Sequence, residues 1–202
     1  IVSKYIMNGI RHLGPESVHA TAKEVLKNPH PDLVGFGLAG DELNFPPKLF
    51  TKTFDMLKEA EFPITVHAGE WDGPEKIHDA ISLLHPTRLG HGVRSIEDSS
   101  LVELIKDLDI VLETCPTSNI ATKIYENYEE HPVKKLFDQN VKITVNSDDP
   151  PFFNASVAGE YEVMAGLGLS DDELMSLTKN AIQSAFCNQA TKEKLLNKIL
   201  NQ

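Results

Sequence analysis

Three short segments carry side chains whose types and spacing suit chemistry. Thr65-Val66-His67-Ala68-Gly69-Glu70 places an imidazole at the end of an apolar run and a carboxylate three residues later. Thr65 and His67 share a face by the two-residue period of a strand. Ala68 and Gly69 carry little bulk, so the chain can turn and bring Glu70 back over the same mouth. A lone strand-end histidine is more often a hydrogen-bonded structural residue than a ligand, and this segment alone leaves both readings open. Gly90-His91-Gly92 flanks a second imidazole with glycines that permit close approach of backbone and ligand. By itself it equally describes a turn with a surface histidine. Asn146-Ser147-Asp148-Asp149-Pro150 sets two adjacent carboxylates after the strongest β-branched run of the chain. Pro150 biases Asp149 toward extended backbone, where neighbouring side chains diverge and can serve two different tasks. A solvated turn is the alternative. The other histidines (His12, His19, His30, His78, His85 and His131) lack strand-end placement and are assigned to surface or capping roles. His12, next to Arg11, is the least secure of them.

The elements that must position these groups repeat as a short apolar run, a polar or Gly-rich corner and an amphipathic helix. The runs cover residues 6–10, 33–39, 64–67, 88–91, 110–115 and 141–145. Between them, Ile77, Ala80, Ile81 and Leu84 fall on one helical face, with Pro74 near the helix start. Leu101, Leu104, Ile105 and Leu108 do the same after Glu97, Asp98 and Ser99. Ser170-Asp171-Asp172-Glu173 reads as a capping box, and a last helix from about Thr191 carries Leu195, Leu196, Ile199 and Leu200. Such alternation means βαβ units and a parallel sheet. Periodicity does not choose between a closed barrel and an open doubly wound sheet. In both, the polar residues just after the strands sit at the edge that carries the active site.

With 202 residues, 41% hydrophobic and 24% charged, the composition is that of an ordinary globular protein. The formal charge of −11, from 19 basic and 30 acidic residues, repels phosphate backbones and anionic lipid, which argues against nucleic-acid and membrane partners. A small-molecule substrate is expected. Cys115 and Cys187 are too few for a disulfide framework, and no apolar run approaches the roughly 20 residues that span a bilayer. The expected location is the cytoplasm. No Gly/Ser linker divides the chain, so one catalytic domain over residues 1–202 is expected.

Together these segments resemble the adenosine deaminase family. Val66-His67-Ala68-Gly69-Glu70, Leu38-Ala39-Gly40-Asp41-Glu42, Leu89-Gly90-His91-Gly92, Glu113-Thr114-Cys115-Pro116-Thr117-Ser118-Asn119 and Ser147-Asp148-Asp149-Pro150 occur in the family's order and spacing. The resemblance runs from about Ile6 to the C-terminus. It implies an α/β fold, the metal-dependent-hydrolase type of TIM (β/α)8 barrel, of which this chain covers about strands 3–8. It implies a single catalytic Zn²⁺, with His67 and Asp148 as ligands. His91 would orient the attacking water and handle its proton, and Glu70 would donate a proton to N1 of the purine. Asp149 would hydrogen-bond at N7, the Gly40 backbone N–H at N3, and Glu113 would orient His91. The activity implied is hydrolytic deamination of adenosine, and of 2'-deoxyadenosine, to inosine and ammonia in purine salvage. Deamination of another adenine compound, such as free adenine, is the alternative within the enzyme class; a non-catalytic barrel remnant is the alternative outside it. Leu38-Ala39-Gly40-Asp41-Glu42 looks more like the nucleoside enzymes.

Two departures qualify the resemblance. Gly37 stands where the family has an aspartate, and the His-x-His that supplies two further zinc ligands on the family's first strand occurs nowhere in the sequence. The chain is therefore expected to be a fragment lacking barrel strands 1 and 2, inactive by itself. A third possibility, a dinucleotide-binding sheet, lacks the glycine-rich phosphate loop, since Gly35-Phe36-Gly37 has no third glycine.

Overall fold

The computed structural model describes residues 3–200, in two compact units that divide after Leu104. In the first unit β1 (Tyr5–Ile10), β2 (Leu33–Ala39), β3 (Ile64–Ala68) and β4 (Arg88–His91) pair side by side in chain order, all parallel. Parallel neighbours need a crossover, and helices α1 (Pro15–Lys27), α2 (Thr51–Glu59) and α3 (Pro74–Leu84) provide it.

Alternation along the strands separates two faces. Phe36 and Leu38 of β2, Val66 of β3 and Leu89 of β4 are inaccessible, as are Ala22 of α1, Phe54 and Leu57 of α2, and Ile77, Ala80 and Leu84 of α3. Burying each of the larger of these side chains contributes about 1.5–3 kcal/mol. Gly37, Thr65 and Arg88 take the alternate positions and lie in one register row with Asn8. The expected face of α3 is the buried one. Its first residue, Pro74, has no N–H to leave unpaired, and it ends on His85 in the left-handed conformation.

Helix α4 (Ser99–Asp107) runs from the first unit into the second. The Asp98 carboxylate accepts from the N–H groups of Ser100 and Leu101 at its start. In the second unit β5 (Val111–Thr114) and β6 (Ile143–Val145) pair in parallel, Glu113 opposite Thr144. The remaining helices are α5 (Pro116–Ala121), α6 (Val133–Asp138), α7 (Pro150–Phe153), α8 (Val157–Gly166), α9 (Asp171–Ser184) and α10 (Gln189–Leu200). The capping box at Ser170 and Glu173 is formed in both directions, and Asn180 of α9 ties that helix to the Ile143 carbonyl of β6.

Two expectations of burial fail. Leu108 lies beyond the end of α4 and is exposed, because the helix stops one residue before its turn would have carried Leu108 inward. The α10 helix forms as expected, yet Leu195 and Leu200 stay exposed. Its i, i+4 pattern specifies helix without specifying what covers it. Among the described residues no helix is long and apolar enough to cross a membrane.

Candidate active site

His67 and Glu70 meet His91 at the C-terminal ends of β3 and β4. The rings of His67 and His91 lie edge to face with centroids 5.2 Å apart. His91 Nε2 is 3.4 Å from Glu70 Oε2, with both side chains largely shielded from solvent. An imidazole and a carboxyl at this separation can share or relay a proton once substrate draws them closer. Register explains the close packing of the two histidines. His67 sits opposite Gly90, and a Cβ at Gly90 would lie 2.8 Å from His67 Nδ1. Glycine there makes room for the imidazole. His67 Nδ1 is buried without a hydrogen-bond partner, so that nitrogen does not make the structural bond expected of an ordinary strand-end histidine.

Backbone geometry singles out the same region. Eight non-glycine residues among those described have positive φ. Glu61, His85, Asp109, Lys123, Asn140 and Asn154 all follow helix C-termini, where the left-handed conformation is routine. His91 (φ 60°) instead closes strand β4, and Asp148 (φ 51°) lies three residues beyond β6. Left-handed backbone costs a residue with a Cβ about 1–2 kcal/mol, and such strain gathers at functional sites. Both residues had been singled out by sequence motif.

The corner carrying Glu70 is held by residues that sequence reasoning left without a role. Glu42, buried after β2, accepts from Gly69 N (2.5 Å), Glu70 N (3.2 Å) and Trp71 N (3.0 Å). Arg11, fully buried just after β1, donates to the carbonyls of His67 (2.7 Å) and Phe45 (2.6 Å). Burial pushes the Arg11 pKa down to about 10, opposed by the charges of Glu42 and Asp41. Asp41 in turn accepts from the backbone and side-chain nitrogens of Asn44. Of the two acids, Glu42 serves the corner's backbone, and Asp41 serves the turn that follows β2. Gly40 occupies the turn before it with φ 98°, and a Cβ there would meet His12 Nδ1 at 2.9 Å.

At Gly37 the space of the expected aspartate is taken. A Cβ built on Gly37 would fall 1.9 Å from Oδ1 of Asn8, its partner across β1 and β2. An amide on the neighbouring strand replaces a carboxylate on this one.

In the second unit, Asp148 lies exposed three residues after β6, and its Oδ2 accepts from Ser118 Oγ (2.7 Å) at the start of α5. Asp149 caps α7, its carbonyl accepting from Phe152 and Phe153. Glu113 is half-buried on β5. The wholly buried Glu160 of α8 accepts from Thr117 N (3.3 Å), and its other oxygen has no hydrogen-bond partner. Burial, together with the charge of Asp148, raises its pKa, outweighing the Thr117 hydrogen bonds that lower it. His131, expected at the surface or as a cap, is a core residue. It packs against Tyr125, its Nε2 lies 3.0 Å from Asn119 Oδ1, and its Nδ1 accepts from Val133 N. That pattern requires a neutral ring, and burial pushes the pKa down to about 4. Apolar patterning does not reveal such a histidine, because its partners are polar groups, the Asn119 amide 12 residues back and the Val133 N–H two residues on.

A sequence model described as "Adenosine deaminase" matches residues 1–202. The chain belongs to the adenosine deaminase family. A curated relative called adenine deaminase, from Sinorhizobium medicae, is 44% identical over 197 residues, which make up 97% of this chain and 61% of that protein. Adenine deaminase from Arthrobacter aurescens has the same fold, with a TM-score of 0.92 at 29% identity, covering 98% of this chain and 61% of that one. An amidohydrolase from Burkhoderia ambifaria described with bound Zn is similar at a TM-score of 0.89 and 26% identity, covering 96% of this chain and 55% of that one. The chain therefore spans about 61% of the length of the curated relatives it matches. The choice that periodicity left open falls to the (β/α)8 barrel, of which the chain has the portion with strands 3–8. It is a deaminase-family chain of the metal-dependent hydrolase type. The preference for adenosine expected from the sequence is not supported, and the relatives favour the alternative, free adenine.

Proposed function

We propose that the protein carrying this chain hydrolyses the exocyclic amine of free adenine, yielding hypoxanthine and ammonia. The observation that carries the reading is the Glu70–His91 pair at 3.4 Å on the corner after β3, in a chain with curated relatives at 43–44% identity that are called adenine deaminases.

His67 and Asp148 would hold the metal. The donor set, one imidazole and one carboxylate, suits Zn²⁺, and the unpartnered Nδ1 of His67 fits a ring not committed there to the protein. A bound zinc ion would supply Lewis acidity toward water. Two protein ligands fall short of the three of a usual catalytic zinc site, so the residues beyond this chain's share of its relatives' length supply the rest. His91 accepts the proton of the attacking water and returns it to the departing amine. Glu70, protonated when adenine binds, donates to N1, so that electrons from the breaking C6–N1 π bond settle on a neutral nitrogen. Asp149 hydrogen-bonds at N7, the Gly40 N–H donates to N3, and Glu113 orients His91.

The test is ammonia release from adenine by the full protein. Glu70→Gln keeps the size of the side chain and removes the transferable proton. Turnover should fall by at least the 10²–10⁴-fold typical of lost acid–base catalysis, with bound zinc retained. Undiminished turnover would remove Glu70 from the mechanism.

A further inference from the structure

Successive backbone N–H groups that converge on one point form a nest for an anion. Residues 69–71 make such a nest, with Gly69 at φ 77° bending the chain so that three amides face the same way. No external anion is needed, because Glu42 fills it. Glu42 Oε1 takes the Gly69 N–H while Oε2 takes those of Glu70 and Trp71. Both oxygens of one carboxylate are therefore engaged by the three residues centred on Glu70.

The same corner is fixed from its other side. Arg11 grips the His67 carbonyl. The Gly92 and Arg94 amides donate to the carbonyls of Ala68 and Gly69, and the Arg94 guanidinium donates to that of Trp71. Donors hold its carbonyls, and Glu42 is the acceptor for its amides. Hydrogen bonds to an ionised acceptor are shorter and stronger than neutral ones, and buried amides deprived of their acceptor bear the full cost of desolvation. The Glu70 side chain leaves the corner at its middle residue, so its 3.4 Å approach to His91 depends on the orientation of that peptide.

We infer that Glu42 is a positioning residue for the acid of the reaction, acting through the amides of residues 69–71 to hold Glu70 against His91. The inference rests on the acid role of Glu70 proposed above. Glu42 touches no reacting atom, and its effect belongs to kcat. Substrate affinity, set by the purine contacts of Gly40 and Asp149, should be left nearly intact.

The test combines amide hydrogen exchange with a kinetic cycle in the full protein. Glu42→Gln offers one acceptor oxygen for three N–H groups and turns an NH₂ toward them. Exchange across residues 69–71 should accelerate at least tenfold while exchange in β2 and α3 stays unchanged. The kcat for adenine should fall about 10²-fold, as expected for a misplaced catalytic group, with KM changed less than about threefold. In a Glu70→Gln background the same substitution should cost less than about threefold, because non-additivity marks residues that act as a unit. If Glu42→Gln does not fold, Glu42→Asp keeps the charge and retracts it by one methylene, and the same readouts apply at smaller amplitude. Unchanged exchange at residues 69–71 would overturn the inference, and so would an equal loss of kcat in both backgrounds. Full turnover by Glu70→Gln alone would instead refute the acid role, and the exchange measurement would then decide the claim for Glu42.

Discussion

Replacing Gly69 with alanine disturbs the corner at its hinge, and its cost can be worked from two independent features. Gly69 has φ 77°, where a Cβ costs about 1–2 kcal/mol. The added Cβ would also lie 2.3 Å from Ile77 Cδ1 and 2.6 Å from Ile77 Cγ1. Ile77 is fully buried on α3, so it has little room to retreat, and overpacking of this kind costs about 1–3 kcal/mol. The sum, about 2–5 kcal/mol, is a large part of the roughly 5–15 kcal/mol stability of a typical domain. Trp71 is the only tryptophan, two residues from the substitution. Urea unfolding followed by its fluorescence therefore reports on the unit concerned. Ile77→Val deletes the atom in worst contact at a cost of about 0.5–1.5 kcal/mol. In the Gly69→Ala background it should cost less than that, or stabilise, with a coupling of about 1 kcal/mol or more. A Gly69→Ala loss below about 0.5 kcal/mol, within the range of ordinary surface substitutions, would refute the reasoning. Strict additivity with Ile77→Val would refute its steric half.

Three further outcomes follow from the second unit. The His131 pKa is lowered to about 4 from 6.5, so the unfolded chain binds a proton the folded one refuses. Stability should fall as pH drops from about 6.5 toward 4, by about 3 kcal/mol in total, and a pH series of unfolding midpoints on His131→Gln should lack that component. Glu160 has its pKa raised chiefly by burial, so the folded state holds its proton more tightly and stability is lost as pH rises through the folded value. Glu160→Gln should remove that loss and leave stability at neutral pH equal or higher, as measured by thermal unfolding at pH 5 and pH 8. Ser118→Ala deletes the hydroxyl that donates to Asp148. On the proposed role of Asp148 as a metal ligand, zinc affinity of the full protein, titrated against a chelator, should drop about 10–100-fold, while the fold is retained.

Strands and helices were legible in the sequence because each pairs an apolar period with a local stop signal. The β2 and β4 runs match the sequence reading residue for residue, and the Ser170–Glu173 box and the Ile77–Leu84 face are formed as read. The motifs also named the pair that meets, His91 and Glu70. The residues that hold the pair were not legible as such. Glu42 and Arg11 act on backbone groups 27 to 56 residues away, and such bonds have no period. The available signals were a charged residue at the end of a buried run for Arg11, and a second acid beside Asp41 in a glycine corner for Glu42. The reading of Leu38-Ala39-Gly40-Asp41-Glu42 as more like the nucleoside enzymes finds no support in the relatives, which favour the alternative, free adenine. The segment's two acids are engaged by Asn44 and by residues 69–71.

The most direct test of the central claim is the ratio of kcat/KM for adenine and adenosine, measured with the full protein by following loss of the amine at C6. The account predicts that adenine is the better substrate by at least tenfold, a difference of about 1.4 kcal/mol in transition-state binding. A ratio favouring adenosine would contradict it.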